Sequence, residues 1–316
     1  MKPAPERRLL PGPLDVVNAL TIDVEDYYQV AAFEPQIRFE DWSRHESRVV
    51  ANTWRIIEIL NFYQVKATFF ILGWIAEKYP QLVLAIQKEG HEIASHGYRH
   101  RLIYRMSREE FKEDTQRSKE ILENLSGIPV IGYRAPSYSI IRETLWCLDF
   151  LQKIGFEYDS SIFPIHHDLY GIPNARRYPY FHSLSNGARL LEFPLSTVRI
   201  MGWNVPAAGG GYFRLFPYRY SQWAIRRLND HEGIPANVYL HPWEIDPIQP
   251  RINGSFRSRF RHYVNLNKTE PRLRQLLQDF RFAPLRTLKE KIMTQAPLLG
   301  KATEYQSCTV GAGPHS

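Results

Sequence analysis

The chain has 316 residues, 44% of them hydrophobic and 23% charged, with a formal net charge of +7. That composition excludes a wholly disordered, collagen-like or low-complexity chain and leaves ample material for a core. Cys147 and Cys308 are the only cysteines, so neither a disulfide framework nor a cysteine-based zinc site organises the fold.

Along the chain, β-like runs alternate with helical ones. The N-terminal stretch is broken by prolines and arginines and reads as neither a secretory signal nor a membrane anchor. Ala19–Val24 is a strand, and Arg48–Leu60 follows with helical periodicity. The run 67–76 is the longest apolar one, well short of the ~20 residues of a membrane span, so it reads as a buried strand and its continuation. Pro80 opens a helix to Lys88 that Gly90 ends, and His91–Ser95 is the next strand. Ser107 and Glu110 form a capping-box start for a helix to about Asn124, with Gly127 beyond it. Val130–Tyr133 is a strand and Glu143–Lys153 a helix. Between Pro164 and Gly211 the pattern loosens, with strands at Leu190–Phe193 and Thr197–Ile200 and a close-approach loop at Gly209–Gly211. Tyr218–Leu228 is a helix, Ala236–Leu240 a strand, and Pro271–Asp279 and Thr287–Met293 are late helices. Such alternation predicts an α/β architecture of parallel strands, as a barrel or an open sheet.

Charge is concentrated late in the chain. Arg251–Arg274 contains six arginines and one lysine against the single acid Glu270. An anionic partner or a solvated face would each account for it, and no nucleic-acid motif accompanies it.

Four clusters fall where predicted strands end, which is where α/β barrels build their sites. The first is Asp23-Val-Glu25-Asp26, whose crowded carboxylates ask for a cation or a proton. Strand alternation puts Asp23 and Glu25 on one side. The second holds His96 and His100, four residues apart, a spacing that places two imidazoles on one face of a helical turn as metal ligands. The third is Arg134-Ala-Pro-Ser137-Tyr138, which offers a guanidinium for a carboxylate and turn amides for an oxyanion. The fourth is His241-Pro-Trp243-Glu244, with Trp243 either core or a sugar-stacking surface.

Taken together, Asp23, His96, His100, Arg134 and His241 resemble the motif set of the polysaccharide deacetylases, the NodB-homology carbohydrate esterases. The resemblance runs from Ala19 to Trp243 and is most specific over Gly90–His100. Asp-Val-Glu-Asp-Tyr-Tyr and the stretch His241–Arg251 are similar to a subfamily that accompanies exosortase (PEP-CTERM) and exopolysaccharide loci.

That resemblance implies a distorted (β/α) barrel with fewer than eight repeats. Its expected organisation is an N-terminal extension over 1–18, the deacetylase barrel over 19–250, a basic extension packed on it over 251–293, and a flexible tail over 294–316. It implies hydrolysis of acetyl groups from N-acetylhexosamine units by one divalent metal, zinc foremost with cobalt or nickel as alternatives. Asp23 would be the base, paired with Arg134; His241 would be the acid, oriented by Asp159. His96, His100 and either Glu25 or Asp26 would hold the metal, with Glu25 preferred. Ser137, Tyr138, Phe163 and Trp243 would contact substrate, Phe163 standing where the family has a tryptophan and Tyr239 where it has a leucine. The expected partner is an N-acetylated polysaccharide or lipid-linked oligosaccharide, with no nucleic acid. The expected location is cytoplasmic, peripheral to an anionic inner membrane. The competing readings are a metal-independent hydrolase of cyclic ureides and a non-catalytic glycan-binding protein.

Overall fold

The computed structural model describes residues 16–295 except residue 208. The tail, Cys308 and most of the N-terminal extension named above lie outside that range.

Eleven strands are β1 (Asn18–Val24), β2 (Thr68–Ile71), β3 (Glu92–Ser95), β4 (Gly132–Tyr133), β5 (Tyr158–Asp159), β6 (Tyr180–Ser183), β7 (Arg189–Glu192), β8 (Thr197–Ile200), β9 (Trp203–Pro206), β10 (Asn237–Leu240) and β11 (Phe282–Ala283). The helices are α1 (Val49–Phe62), α2 (Gly73–Lys78), α3 (Pro80–Lys88), α4 (Arg108–Ser126), α5 (Cys147–Lys153), α6 (Gly210–Leu215), α7 (Tyr218–Arg226), α8 (Phe256–Tyr263), α9 (Leu266–Asp279) and α10 (Leu285–Gln295). The main sheet runs β10-β1-β2-β3-β4-β5-β7-β6, parallel throughout except for the β6–β7 pair. β8 and β9 form a separate hairpin.

Every residue of β1 is buried, as expected of a parallel strand covered on both faces. The alternation along it divides two environments. Leu20, Ile22 and Val24 join the large core under the helices, while Ala19 joins the inner cluster. Thr21 and Asp23 share Ala19's side. The same division places Phe69 and Ile71 outside and Phe70 inside. The inner face therefore carries the polar groups.

The sheet curls until its two flanks meet through side chains. Asn237 on β10 donates to Ser160 Oγ (3.0 Å) and the Phe193 carbonyl (3.1 Å), and its own N–H donates to Ser196 Oγ (2.6 Å). Hydrogen bonds of one side chain thus bridge a gap that no strand pair closes among the described residues. The expected distorted barrel is the observed architecture.

One end of the barrel is plugged by the C-terminal segment. β11 pairs with the start of β1, and Leu285, Leu288 and Ile292 of α10 enter the inner cluster beside Phe70, Ala94 and Tyr158. Buried Glu92 accepts from the Arg286 N–H (2.9 Å), Thr68 Oγ1 (2.6 Å) and Tyr158 OH (2.9 Å). A carboxylate at a helix N-terminus offsets the exposed amides and the dipole there. β11 is thus joined to β1 by strand pairing and α10 to the inner cluster by packing.

Element boundaries follow local signals closely where those are strong. The capping box of Ser107 and Glu110 opens α4, and Gly127 closes it at φ 69°. The helix expected over Glu143–Lys153 splits into a short 3-10 turn at Arg142–Thr144 and α5. α9 begins at Leu266, with Pro271 inside it rather than at its start.

Candidate active site

The strand ends of the open rim bring the sequence clusters together. Asp23 and Glu25 leave β1, His96 and His100 follow β3, Arg134 to Tyr138 follow β4, and His241 follows β10. Asp23, Glu25, His96, His100, Ser137, Tyr138 and His241 line one cavity of about 530 Å³, together with Tyr170, Tyr212, Tyr239, Trp243 and the α8 residues Arg257, Phe260 and Arg261, while Arg134 is buried behind Asp23.

Asp23 is fully engaged. Arg134 Nη1 donates to its Oδ1 at 2.6 Å, and Tyr138 OH donates to Oδ2 at 3.3 Å. Arg134 is itself buried and fixed by Thr21 Oγ1 (2.8 Å), the Ser160 carbonyl (2.9 Å) and Ser160 Oγ (2.8 Å), with its guanidinium 4.2 Å from the centre of the Phe70 ring. A buried charge held by this many partners keeps one geometry.

Glu25, His96 and His100 form a compact donor set, one ligand atom from each lying within 4.8 Å of the others. The Oε2 atom of Glu25 is 2.7 Å from His100 Nε2, yet it makes no hydrogen bond, and His100 Nδ1 is likewise buried without one among the described residues. Glu25 Oε1 accepts from the Trp243 indole N–H at 3.2 Å. His96 Nδ1 lies 2.8 Å from the Arg134 carbonyl. With Nδ1 donating there, Nε2 is left with a free lone pair. Burial lowers His96 to about 4, so the ring is neutral at physiological pH. Burial alone would raise the Glu25 carboxyl, but His100 and His241 outweigh it and hold it well below the usual range. Two imidazoles and a carboxylate with an orphaned buried oxygen suit a borderline divalent cation such as zinc.

The histidine pair does not lie on a helix. His96 and His100 sit in the loop after β3, with Gly97 at φ 71° and His100 at φ 52°, and their rings are 5.3 Å apart. The loop is held by Asp114 of α4, which accepts the N–H of Tyr98 (2.7 Å) and Arg99 (3.2 Å). The expected spacing holds, but a left-handed turn rather than a helical face makes the pair converge.

Asp26 faces away from this group. Its Oδ2 accepts from Ser47 Oγ (2.7 Å), Arg48 N (2.9 Å) and Val49 N (3.2 Å), capping the start of α1. The geometry gathers Glu25, the preferred alternative, and assigns Asp26 to the helix.

His241 lies opposite Arg134, its Nε2 3.9 Å from Asp23 Oδ2 and 3.5 Å from Glu25 Oε1. Its Nδ1 is 2.5 Å from Glu244 Oε1, and Arg214 Nε donates to Glu244 Oε2 at 2.7 Å. Burial would lower the His241 imidazole, but Glu25, Glu244 and Asp23 raise it to about 9. The partner expected from Asp159 is therefore supplied by Glu244. Asp159 instead accepts from Ser161 Oγ (2.6 Å) and N–H (3.2 Å), and Ser161 Oγ accepts the Ala135 N–H (2.8 Å). Burial raises Asp159 to about 6 and Glu192 well above its ordinary value. Glu244 ends the fourth sequence cluster without a role assigned to it there, and Arg214 lies outside all four. The signal for Glu244 was its place three residues after His241 in a turn opened by Pro242, where a carboxylate folds back on the first residue.

The remaining substrate-contact residues divide. Ser137 and Tyr138 line the cavity on a strained turn, both at positive φ (50° and 54°). The Tyr138 N–H is taken by the Ala135 carbonyl (3.0 Å). Trp243 is buried, stacked between His241 (5.2 Å) and His262 (4.0 Å). Phe163 does not reach the cavity. It is buried behind Tyr170, on which it stacks at 6.0 Å, and Tyr138. Tyr239 lies against Gly209 and Gly210, where a Cβ would stand 2.3 and 2.6 Å from its ring. Only glycine permits that approach.

Comparison with known proteins adds a family context. A sequence model described as "Polysaccharide deacetylase" matches residues 36–158, and one described as "Domain of unknown function (DUF3473)" matches residues 160–290. The chain is similar to a peptidoglycan-N-acetylglucosamine deacetylase of Bacillus cereus, 37% identical over 91 residues, 29% of this chain and 33% of that one. It is also similar to a peptidoglycan deacetylase of Helicobacter pylori, 30% identical over 115 residues, 36% of this chain and 38% of that one. The chain thus spans about a third of the length of these relatives. The fold matches the crystal structure of a Mycobacterium smegmatis protein assigned to the polysaccharide deacetylases. The TM-score is 0.60 at 18% identity, covering 94% of this chain and 97% of that one.

Proposed function

We propose, for a chain that carries a polysaccharide deacetylase domain, the hydrolysis of N-acetyl groups on N-acetylhexosamine units of a polysaccharide or its precursor. The observation that carries this reading is one cavity lined by Asp23, the Glu25–His96–His100 set and His241, with Arg134 buried behind Asp23 and paired to it. A divalent cation, zinc foremost, held by Glu25, His96 and His100 would polarise the amide carbonyl and acidify a water.

The chain's own groups supply the proton transfers. Asp23, aligned by Arg134 and Tyr138, takes a proton from the attacking water at Oδ2. The backbone N–H of Ser137 is the donor offered to the carbonyl oxygen as it gains charge. His241 Nε2 gives a proton to the departing nitrogen as the C–N bond breaks, while Glu244 holds Nδ1. The products are acetate and a free amine on the sugar. The aromatic walls of Tyr170, Tyr212 and Tyr239 suit the apolar face of a pyranose ring.

The polymer reading favours exopolysaccharide biosynthesis, at a membrane. Phe256 and Phe260 of α8 are 84% and 49% exposed, on the same helix as the exposed Arg257, Arg259 and Arg261, and Arg257, Phe260 and Arg261 line the cavity. Apolar rings set among cations suit an anionic lipid surface. No described helix is long and apolar enough to cross a membrane.

The test is elemental analysis together with acetate release from N-acetylated oligosaccharides, for wild type and the His96→Ala/His100→Ala double variant. About one divalent ion per chain, lost with turnover in the variant, is expected. No metal in zinc-reloaded wild type would overturn the metal-dependent mechanism. No acetate from any N-acetylated glycan would overturn the reaction.

A further inference from the structure

A second cavity, of about 760 Å³, lies outside the site described above, in the segment that the polysaccharide deacetylase model does not cover. Its walls come from the loop after β5 and from the β8–β9 hairpin. The loop is shared: Pro164, Ile165 and His166 face this cavity, while His167, Asp168, Leu169 and Tyr170 line the one holding Asp23. The two cavities therefore stand back to back across a few residues of backbone.

The hairpin is built to present side chains rather than to bury them. Its turn places Met201 at φ 47° and Gly202 at φ 86°, a pair of positive angles that matches the twist of a two-residue hairpin but strains a methionine. Met201 is 95% exposed and Trp203 66% exposed. The Trp203 indole meets the edge of His166 at 5.9 Å, above the cavity. An exposed tryptophan beside a polar cavity is a ready platform for the C–H face of a sugar ring.

Arg176, Arg177, Arg199 and the acid Glu232 line the cavity. Glu232 is already paired with Arg177 at 2.7 Å. Arg199 has no ion-pair partner among the described residues. A carboxylate-bearing sugar would meet both the ring and the guanidinium, whereas a neutral one would leave the guanidinium unanswered.

We propose that the Trp203 cavity is a second glycan-binding site, which holds an acidic, uronic-acid-bearing stretch of a polysaccharide while a neighbouring unit enters the Asp23 cavity. The class of ligand rests on the deacetylase reading; the site itself rests on Trp203, Arg199 and the shared loop. It makes the protein a reader of polymers over short oligosaccharides.

The experiment is calorimetric titration of an Asp23→Asn background with a hyaluronan dodecasaccharide, which alternates uronic acid and N-acetylhexosamine. The neutral controls are N,N′-diacetylchitobiose and hexa-N-acetylchitohexaose. Expected is hyaluronan binding that weakens about tenfold in Trp203→Ala and more at low than at high salt in Arg199→Glu. Both effects should spare chitobiose. Both side chains are exposed, and circular dichroism verifies that each variant is folded. No hyaluronan binding, equal binding by the variants, or an equal loss for chitobiose each overturns the proposal. Acetate release assayed in parallel on the wild type separates the two readings. Release without any Trp203 effect removes this site and keeps the enzyme, and Trp203-dependent binding without release does the reverse.

Discussion

Nδ1 of His241 lies 2.5 Å from Oε1 of Glu244, three residues further along the same turn. The other oxygen of that carboxylate takes Arg214 Nε at 2.7 Å, and Arg214 also donates to the carbonyls of His262 (2.7 Å) and Val264 (3.0 Å). Glu244 and Arg214 are buried and His241 is half-buried, and the chain imidazole–carboxylate–guanidinium is fixed from both ends. The ring's orientation is thus tied to the segment leading from α8 into α9.

This arrangement predicts that Glu244→Gln lowers kcat by about tenfold to hundredfold with little change in KM. The same change strands the Arg214 charge, which costs about 3–5 kcal/mol of stability. The Glu244→Gln/Arg214→Met pair should recover stability in a urea melt without recovering kcat. Recovery of both would make Glu244 a structural partner of Arg214 and nothing more.

Much of this site was legible in the sequence because strand ends in a parallel barrel converge by topology. Asp23, His96, Arg134 and His241 could be placed at one rim from the positions of four strands. The choice between Glu25 and Asp26 needed the neighbouring helix, since the N-terminus of α1 takes one carboxylate and leaves the other. The partner of His241 was not legible for a related reason. Asp159 ends β5 and Glu244 lies in the turn after β10, and only packing shows that Ser161 takes the first. Phe163 was misplaced because its position along the chain gives the type of wall but not its depth. Tyr170, from the same loop, folds over it.

The assignment of Asp26 to α1 carries its own prediction. Asp26→Ala removes an acceptor from Ser47 Oγ and from the backbone amides of Tyr27, Arg48 and Val49, and should lower stability by about 1–3 kcal/mol. Bound metal per folded chain should remain that of the wild type. Loss of the ion from folded Asp26→Ala protein would return Asp26 to the donor set.

The exposed face of α8 predicts cosedimentation with phosphatidylglycerol vesicles at low ionic strength. Phe256→Ser/Phe260→Ser should abolish it, because the rings supply the apolar contact. Raising salt should weaken it in the wild type, because Arg257, Arg259 and Arg261 act across a Debye length of about 10 Å at 0.1 M. Equal binding to neutral phosphatidylcholine would remove the electrostatic part of the argument. No binding to either lipid would remove the surface.

Acid stability should depend on His91, far along the barrel wall from the rim. Its Nδ1 accepts the Ala67 N–H at 3.2 Å, so the ring must be neutral at that atom. Burial, helped by the Lys66 charge, lowers its pKa from 6.5 to about 4. Above pH 6.5 the ring is neutral folded or unfolded, and its contribution is fully present. As pH falls below 6.5 the unfolded chain takes up the proton first, so stability drops until the folded ring also titrates near 4. The full loss is up to about 3 kcal/mol. His182, lowered to about 4 by burial, acts in the same direction, while the raised carboxyls of Asp159 and Glu192 act in the opposite one. Only a difference between variants isolates the His91 contribution. Urea midpoints of wild type and His91→Gln at pH 7.5 and 5.0 should converge on acidification, because glutamine can still accept the Ala67 N–H but does not titrate. A gap that stays constant between the two pH values would show that His91 holds the same charge in both states.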